Sequence, residues 1–171
     1  MKILIDTSNQ YLILSLIDQD YKVLDFLKMK CERNLTEVTN SEIQKILDKN
    51  KISFKDISSF YVVNGPGSFT GVKISVLIAN TVKNINPELK IFSLSSLEFL
   101  KKNRNDKTAI DAKGGKYYYR TPYRIKLINE NKIKENWITT YEDVNEENIT
   151  FNIRRFHSNF NLKPLYKKRV V

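Results

Sequence analysis

A chain of 171 residues, of which 41% are hydrophobic, can bury a substantial core as one domain or as two small ones. The single cysteine, Cys31, excludes an internal disulfide, and neither the start MKILIDTS nor any apolar run predicts a secretory signal or a membrane span, so we expect a cytoplasmic protein. The formal charge of +10 selects no fold and indicates solubility with a general attraction to nucleic acids.

Strand-like patterns open the chain and recur twice further on. Residues 2–29 predict three strands joined by turns, and the continuous apolar run at 3–5 indicates a strand covered on both faces. Apolar runs at 60–63 and 90–94 predict two further buried strands. Two early hairpin-like returns followed by alternating strands and helices indicate an α/β fold with a mixed sheet.

Helical spacing of apolar residues alternates with these strands. Residues 34–49 place apolar side chains on one stripe, and Asn34 with Glu37 three positions later matches a capping box. Similar patterns, Ser53 with Asp56 and Ser95 with Glu98, predict two further helix starts. The helix predicted at 69–84 is apolar on nearly every side, which indicates burial either wholly inside the chain's own core or between that core and a partner.

Three glycines precede that helix and raise the question of a phosphate-binding loop. Gly65, Gly67 and Gly71 are spaced one residue too widely for the dinucleotide fingerprint. Val72 stands where a P-loop needs its lysine. Ser68 lacks the flanking glycines of a nucleophile elbow and is predicted to cap the helix. The loop therefore predicts a sharp turn into a helix, with weak anion affinity at the helix N-terminus left open.

Asp6, Thr7 and Ser8 follow the first strand and form a second candidate site. A carboxylate and two hydroxyls at a strand end suit phosphate and metal binding in some nucleotide-binding α/β folds, and a hydrogen-bonded turn is an equal alternative. The only histidine, His157, is distant in sequence from any candidate nucleophile and is expected at the surface. One histidine and one cysteine predict no zinc or iron site.

The pattern weakens after residue 103. Strands are predicted at 108–112 and 116–128, followed by polar, irregular chain. We place a domain boundary here, so that residues 1–104 form one domain and residues 105–171 a second, smaller one.

A basic segment spans residues 101–126, which contain nine lysines and arginines, two aspartates and four tyrosines. This composition suits contacts with phosphates and stacked bases. It suits a solvated surface better, since charge alone indicates only weak attraction to nucleic acid.

Five short segments together match the motifs of a known family. They are IDTS at 5–8, NGPGSFTG at 64–71, SLSSLE at 93–98, IDA at 110–112 and KPLY at 163–166. The glycine run is the specific one, and the others are individually weak but occur in the family's order. On these segments the chain resembles the TsaB (YeaZ) family, closely over residues 1–126 and thinly afterwards.

The resemblance implies an actin/Hsp70-like, ribonuclease-H-like fold with a second, reduced α/β lobe. It implies a role in making N6-threonylcarbamoyladenosine (t6A) at position 37 of tRNAs that read codons beginning with A. In that system the transferase is a sibling protein, TsaD, which holds ATP and a metal, and an ATPase, TsaE, joins the assembly. We therefore expect a non-catalytic scaffold and activator with no catalytic residue, no metal and no cofactor of its own.

The alternative is an independent nucleotide-binding phosphotransferase or ATPase of the same superfold. It would use the two candidate sites, and its weak cofactor-binding candidates are Asp6, Thr7, Ser8, Gly65 and Gly67. The lysine or arginine clamps and the second carboxylate expected of such an enzyme are not evident in the sequence.

Family members pair with TsaD through their first two helices, which here are the helices at 35–47 and 69–82. The interface residues implied by position are Leu35, Val38, Thr39, Glu42, Ile43, Ile46, Phe69, Thr70, Val72, Lys73, Val76, Leu77 and Asn80. A homodimer through the same helices is expected when the partner is absent, because an uncovered apolar face invites self-association. The candidate tRNA contacts within the basic segment are Lys113, Lys116 and Arg120, and a solvated surface is the favoured alternative.

The sequence departs from the family pattern at several places. Relatives usually carry histidine at the start of the first helix, where this chain reads CERNLTEV at 31–38. Lys73 stands where arginine is frequent, and Ser75 where glycine is frequent. The region after residue 126 is shorter than usual, which predicts a reduced second lobe with a more exposed edge.

Overall fold

A six-stranded mixed sheet forms the centre of the fold in the computed structural model, which describes residues 1–31, 34–121, 123–159 and 161–165. In spatial order its strands are β3 (Val23–Lys30), β2 (Tyr11–Ile17), β1 (Lys2–Asp6), β4 (Ser59–Val63), β5 (Lys90–Leu94) and β9 (His157–Ser158). Strands β1, β4 and β5 run parallel, and the other pairs are antiparallel. The mixed sheet and its leading hairpins are confirmed. Tyr166, the last residue of the KPLY segment, lies outside the described residues.

Two helices cover each face of this sheet. On one face lie α1 (Leu35–Lys49) and α2 (Phe69–Ile85), and on the other lie α3 (Ser96–Phe99) and α4 (Glu146–Asn152). Strand β1 shows why both faces need cover. Ile3 and Ile5 join the core beneath α1 and α2, whereas Leu4 joins the core on the opposite face. The prediction that this run is covered on both faces is confirmed.

The helix starts follow the predicted caps at three places and depart from them at one. The Ser68 hydroxyl accepts a hydrogen bond from the Gly71 N–H at 3.3 Å, and the Ser95 hydroxyl accepts one from the Glu98 N–H at 3.3 Å. A further predicted start, at 53–56, is a 3-10 turn with a capping box. The capping box predicted at Asn34 is wrong. Asn34 has φ 54 and makes no side-chain cap, because an N-cap side chain reaches the helix amides from extended backbone and not from this left-handed conformation.

A second, three-stranded sheet follows, with the order β6 (Ala109–Asp111), β7 (Lys116–Arg120) and β8 (Ile125–Asn129). The single strand predicted at 116–128 is therefore a hairpin. Its turn is closed by Thr121, whose N–H donates to the Arg124 carbonyl at 2.9 Å and whose hydroxyl accepts from the Arg124 N–H at 3.1 Å.

The chain returns to the first sheet after this hairpin. Strand β9 pairs with β5, and α4 packs against α3 through buried asparagines. Tyr141 and Ile149 share one core with Leu4 and Tyr61, which belong to the first sheet. The domain division at residue 104 stays a prediction, and these contacts tie the two parts together.

Candidate functional site

The loop after β1 is a hydrogen-bonded turn inside the protein. The Ser8 N–H donates to Asp6 Oδ1 at 2.7 Å, which closes an Asx turn, and Asn9 Nδ2 lies 3.4 Å from Asp6 Oδ2. The Ser96 hydroxyl donates to Ser8 Oγ at 3.1 Å, and Ser8 Oγ lies 3.4 Å from the Tyr141 hydroxyl. Asp6 has no exposed surface. The turn, one of the two interpretations of this segment, is the arrangement found.

Burial dominates the electrostatics of this cluster. It raises the pKa of Asp6 to about 6, although hydrogen bonds from Ser8 and Tyr141 lower it in part. Burial also raises the pKa of Tyr141 well above its usual value, and the nearby Asp6 charge adds to that shift. The pair therefore holds its protons more tightly than free side chains do. In the described part of the chain, no three histidine, cysteine, aspartate or glutamate side chains cluster as metal ligands would.

The glycine loop packs directly on this turn. A Cβ at Gly67 would lie 2.0 Å from the Ser8 carbonyl oxygen, and a Cβ at Gly71 would lie 1.8 Å from the Thr7 carbonyl oxygen. Thr7 Oγ1 donates to the Gly71 carbonyl at 2.6 Å, and the Ser68 N–H donates to the Ser8 carbonyl at 2.6 Å. These two glycines thus allow the start of α2 to touch the end of β1, which explains them without a phosphate.

The third glycine serves a different purpose. Gly65 has φ +97, a conformation that other residues rarely adopt, and a Cβ there would lie 2.9 Å from the Leu165 carbonyl oxygen. The C-terminal segment crosses this loop, because the Leu165 N–H donates to the Asn64 carbonyl at 2.7 Å. The loop is therefore held on one side by the turn after β1 and on another by the C-terminal segment.

An open cleft of about 1100 Å³ lies between the start of α2 and the second sheet. Ser8, Gly67 and Ser68 line one side, and Lys113 and Tyr117 line the other. Of the five weak cofactor-binding candidates, only Ser8 and Gly67 reach this cleft, whereas Asp6 and Thr7 are fully buried. Nucleotide binding there stays untested.

Helix α2 presents an exposed apolar side opposite its buried one. Phe69 is 58% exposed and Leu77 is 65% exposed, and between them Lys73 places its ammonium 4.1 Å from the centre of the Phe69 ring. We call these three residues, at positions i, i+4 and i+8, the outer stripe. Val72 and Ala79 of the same helix are buried against the sheet. The alternative of a helix fully enclosed in its own chain is therefore wrong.

The structure corrects part of the predicted interface. Five of its residues lie in the chain's own core, because they occupy the sheet-facing side of α1 and α2: Thr39, Ile43, Ile46, Val72 and Val76. Asn80 donates to the Leu162 carbonyl at 3.1 Å, and Glu42 pairs with Lys45 at 2.6 Å. Those open to solvent wholly or in part include the outer stripe, Thr70, and Leu35 and Val38 of α1.

The three predicted tRNA contacts do not form one unpaired surface. Lys113 Nζ lies 3.1 Å from Asp111, and Arg120 Nε lies 3.7 Å from Glu98. No sequence pattern pointed to Trp137, which comes from the irregular region and stacks on Tyr119 with ring centres 4.7 Å apart. Contact between this chain and tRNA stays a prediction.

Comparison with known proteins finds a matching family model and several related proteins. Residues 29–142 match the family model described as TsaD, tRNA N6-adenosine threonylcarbamoyltransferase. A Mycoplasma genitalium protein, MG208, is 31% identical over 167 residues, covering 87% of this chain and 85% of its own. The tRNA threonylcarbamoyladenosine biosynthesis protein TsaB of Bacillus subtilis is 31% identical over 99 residues, which are 58% of this chain and 42% of that protein.

The fold also matches a solved structure, that of YeaZ from Pseudomonas aeruginosa. The TM-score is 0.74 at 15% identity, covering 97% of this chain and 99% of the other. This match shows the actin/Hsp70-like fold. In the sequence comparisons the chain spans about half, or less, of the length of most curated relatives it matches. Among the helices described, none has the length and apolar character needed to cross a bilayer.

Proposed function

The chain belongs to the TsaB/YeaZ family, and from that premise we propose that it is a non-catalytic subunit of t6A biosynthesis. In this role it pairs with a TsaD-type transferase and activates it. The assembly modifies adenosine 37 of tRNAs that read codons beginning with A, and a TsaE-type ATPase joins it. ATP belongs to the partner subunits.

The observation that carries this proposal is the outer stripe. Phe69 and Leu77 expose most of their side chains on a helix whose opposite side is fixed in the core. Large apolar side chains exposed together favour association, and burying each one contributes about 1.5–3 kcal/mol. The partly exposed Leu35 and Val38 of α1 extend the apolar surface beyond α2.

The glycine loop supports a non-catalytic role. Its close approach to Thr7 and Ser8 and its hydrogen bonds to both residues are contacts within one chain. The loop fixes the angle at which α2 leaves the sheet, and it thereby sets the position of the outer stripe. We propose that its conformation serves the partner surface.

The direct experiment is co-purification with the TsaD-type protein from the same organism. We expect the two proteins to co-elute in size-exclusion chromatography and the transferase to incorporate threonine into tRNA faster when this chain is present. Leu77→Asp places a charge in the buried contact, and we expect it to weaken the complex at least about tenfold, a loss of about 1.4 kcal/mol or more.

Leu24→Asp is the matched control. Leu24 is also an exposed leucine, at 42%, and it lies on β3, outside both α1 and α2. We expect this variant to bind the transferase like the unchanged protein. Equal loss of binding in both variants, or no complex with the unchanged chain, would contradict the proposed interface.

The isolated chain provides a second measurement. Self-association through the same stripe would appear as a dimer in sedimentation at high concentration, and Leu77→Asp is expected to shift that dimer to monomer. The rival nucleotide-binding function predicts that Mg-ATP at 100 times its dissociation constant adds about 2.7 kcal/mol of stability. A melting temperature unchanged by millimolar Mg-ATP would exclude strong nucleotide binding.

A further inference from the structure

The second sheet has one covered face and one open face. Side chains alternate along β7, so Tyr118 points to one face and Tyr117 and Tyr119 to the other. Tyr118 packs against the core of the first sheet together with Ile110 of β6. All three tyrosines are half-buried, but Tyr117 and Tyr119 do not join this core, and we call their face the open face.

Trp137 enlarges this open face from a neighbouring segment. The Ala109 N–H donates to the Ile138 carbonyl at 3.0 Å, and the Ile138 N–H donates to the Lys107 carbonyl at 2.9 Å, so that this segment runs beside β6. The Trp137 ring stacks on Tyr119 at an interplanar angle of 26°. Its Nε1 is buried and has no hydrogen-bond partner among the described residues.

Two lysines flank these rings. Lys107 Nζ lies 6.0 Å from the centre of the Trp137 ring, and Lys126 pairs across the strands with Tyr119. Both lysines are exposed, and within the described ranges neither has a carboxylate at ion-pairing distance. Lys113 differs, since Asp111 neutralises it at 3.1 Å.

We propose that this open face, formed by Lys107, Tyr117, Tyr119, Lys126 and Trp137, binds unpaired bases of an RNA strand. Aromatic rings that are partly open to solvent can stack on bases of any sequence, and lysines without a paired carboxylate neutralise the adjoining phosphates. An acidic protein partner would use the lysines but would gain little from the row of aromatic rings. The inference deepens the proposed function, because it gives this subunit its own contact with the tRNA.

Trp137 provides a direct probe, since it is the only tryptophan in the chain. We expect its emission to be quenched, with saturation, when the full chain is titrated with a mixed-sequence single-stranded RNA of twelve nucleotides. The duplex of the same sequence should bind at least about fivefold more weakly, because its bases cannot stack on the protein. No quenching, or equal affinity for the duplex, would overturn the proposal.

Charge reversal separates this face from general electrostatic attraction. Lys107→Glu with Lys126→Glu should reduce affinity for the single strand at least about tenfold, whereas Lys55→Glu with Lys90→Glu changes the net charge equally and should cost less than about threefold. All four lysines are exposed, so both variants are expected to fold. Equal losses from the two variants would overturn the proposal.

Substitutions at Tyr119 test the stacking itself. Tyr119→Phe keeps the ring and should retain affinity, whereas Tyr119→Leu should lose about fivefold or more. A twelve-residue polyglutamate peptide that quenched Trp137 with the affinity of RNA would overturn the choice of RNA. These measurements need neither the transferase nor its activity, so their failure would leave the partner proposal standing, and failure of the partner complex would leave the RNA measurements interpretable.

Discussion

At the scale of single residues, Gly67 and Gly71 mark the closest approach between the first strand and the second helix. There is no room for a side chain at Gly71, because its Cβ would lie 1.8 Å from the Thr7 carbonyl oxygen. Glycine in such a loop has two common explanations, contact with a phosphate and contact with the chain's own backbone. Here the neighbour is backbone, and the consequence for substitution is measurable.

We expect Gly71→Ala to lower the free energy of unfolding by roughly 3 kcal/mol or more, since either the helix or the turn must move to admit the methyl group. Gly114→Ala is the control. Gly114, unlike Gly71, has a positive φ, +66, but nothing lies within 4 Å of its Cβ position, so only the backbone strain remains and the cost is about 1 kcal/mol. Urea denaturation of both variants checks the difference. Unchanged stability in Gly71→Ala would contradict the close approach.

The buried carboxyl group of Asp6 predicts how the stability of the protein depends on pH. Its pKa is raised from 3.8 to about 6 by burial, so the folded protein keeps this proton where the unfolded chain has lost it. The contribution of Asp6 to stability is therefore fully present below pH 4 and declines as the pH rises through about 6. Asn does not titrate, so whatever else Asp6→Asn does to the free energy of unfolding does not vary with pH.

The stability of Asp6→Asn relative to the unchanged protein should therefore increase by about 3 kcal/mol between pH 3.5 and pH 7.5. Urea denaturation at closely spaced pH values measures the difference, and the titration of other groups cancels in it. A difference that stays constant across this range would mean that Asp6 titrates normally in the folded protein.

At the scale of elements, helical spacing located α1 and α2 well but did not assign their faces. Leu77 and Val76 are adjacent and equally apolar in sequence, yet one is 65% exposed and the other is buried. Packing against the sheet determines which of the two is buried, because it fixes the rotation of the helix about its axis. Family position alone therefore assigned core residues such as Ile43 and Val72 to a partner surface.

Helix α4 was not predicted, because contacts with other elements stabilise it more than its own sequence does. It has only seven residues, and buried asparagines hold it to α3. Asn152 Nδ2 lies 3.0 Å from the Phe99 carbonyl and 2.8 Å from the Lys101 carbonyl, at the end of α3. Ile149 is the one buried apolar residue among the seven, so sequence periodicity has too little to detect.

Asn152→Leu is expected to destabilise the protein by about 2–3 kcal/mol, because it leaves these buried carbonyls without a donor. Thr150→Ala serves as the control on the same helix. Thr150 is exposed and donates only to the Glu146 carbonyl of its own helix, at 3.1 Å, so its loss should change stability by less than about 0.5 kcal/mol. Thermal unfolding of the two variants compares them. Equal melting temperatures would show that α4 contributes little.

At the scale of the whole molecule, the first sheet was predictable and its closing strand was not. Strands β1 to β5 are marked by apolar runs and by turns that are local in sequence. Strand β9 has two residues, both exposed, and its place beside β5 depends on pairing across more than sixty positions. The second sheet is likewise assembled by contacts that no local pattern encodes, such as the stack of Trp137 on Tyr119.

These long-range contacts predict that the chain unfolds as one unit. The Thr108 hydroxyl donates to the Leu97 carbonyl at 2.6 Å, and Lys28 Nζ donates to the carbonyls of Tyr141 and Val144, each at 3.1 Å. Residues on both sides of position 104 thus stabilise each other. We expect a single cooperative transition in urea.

Two signals can test this expectation because they report on different parts. Trp137 fluorescence follows the second sheet, whereas far-ultraviolet circular dichroism is dominated by α1, α2 and the first sheet. We expect the two midpoints to coincide, and we expect Asn152→Leu to lower both by the same amount. Asn152 lies in neither sheet and joins α4 to the end of α3, so its loss should affect both signals. Separate midpoints for the two signals would instead support two independent domains divided at residue 104.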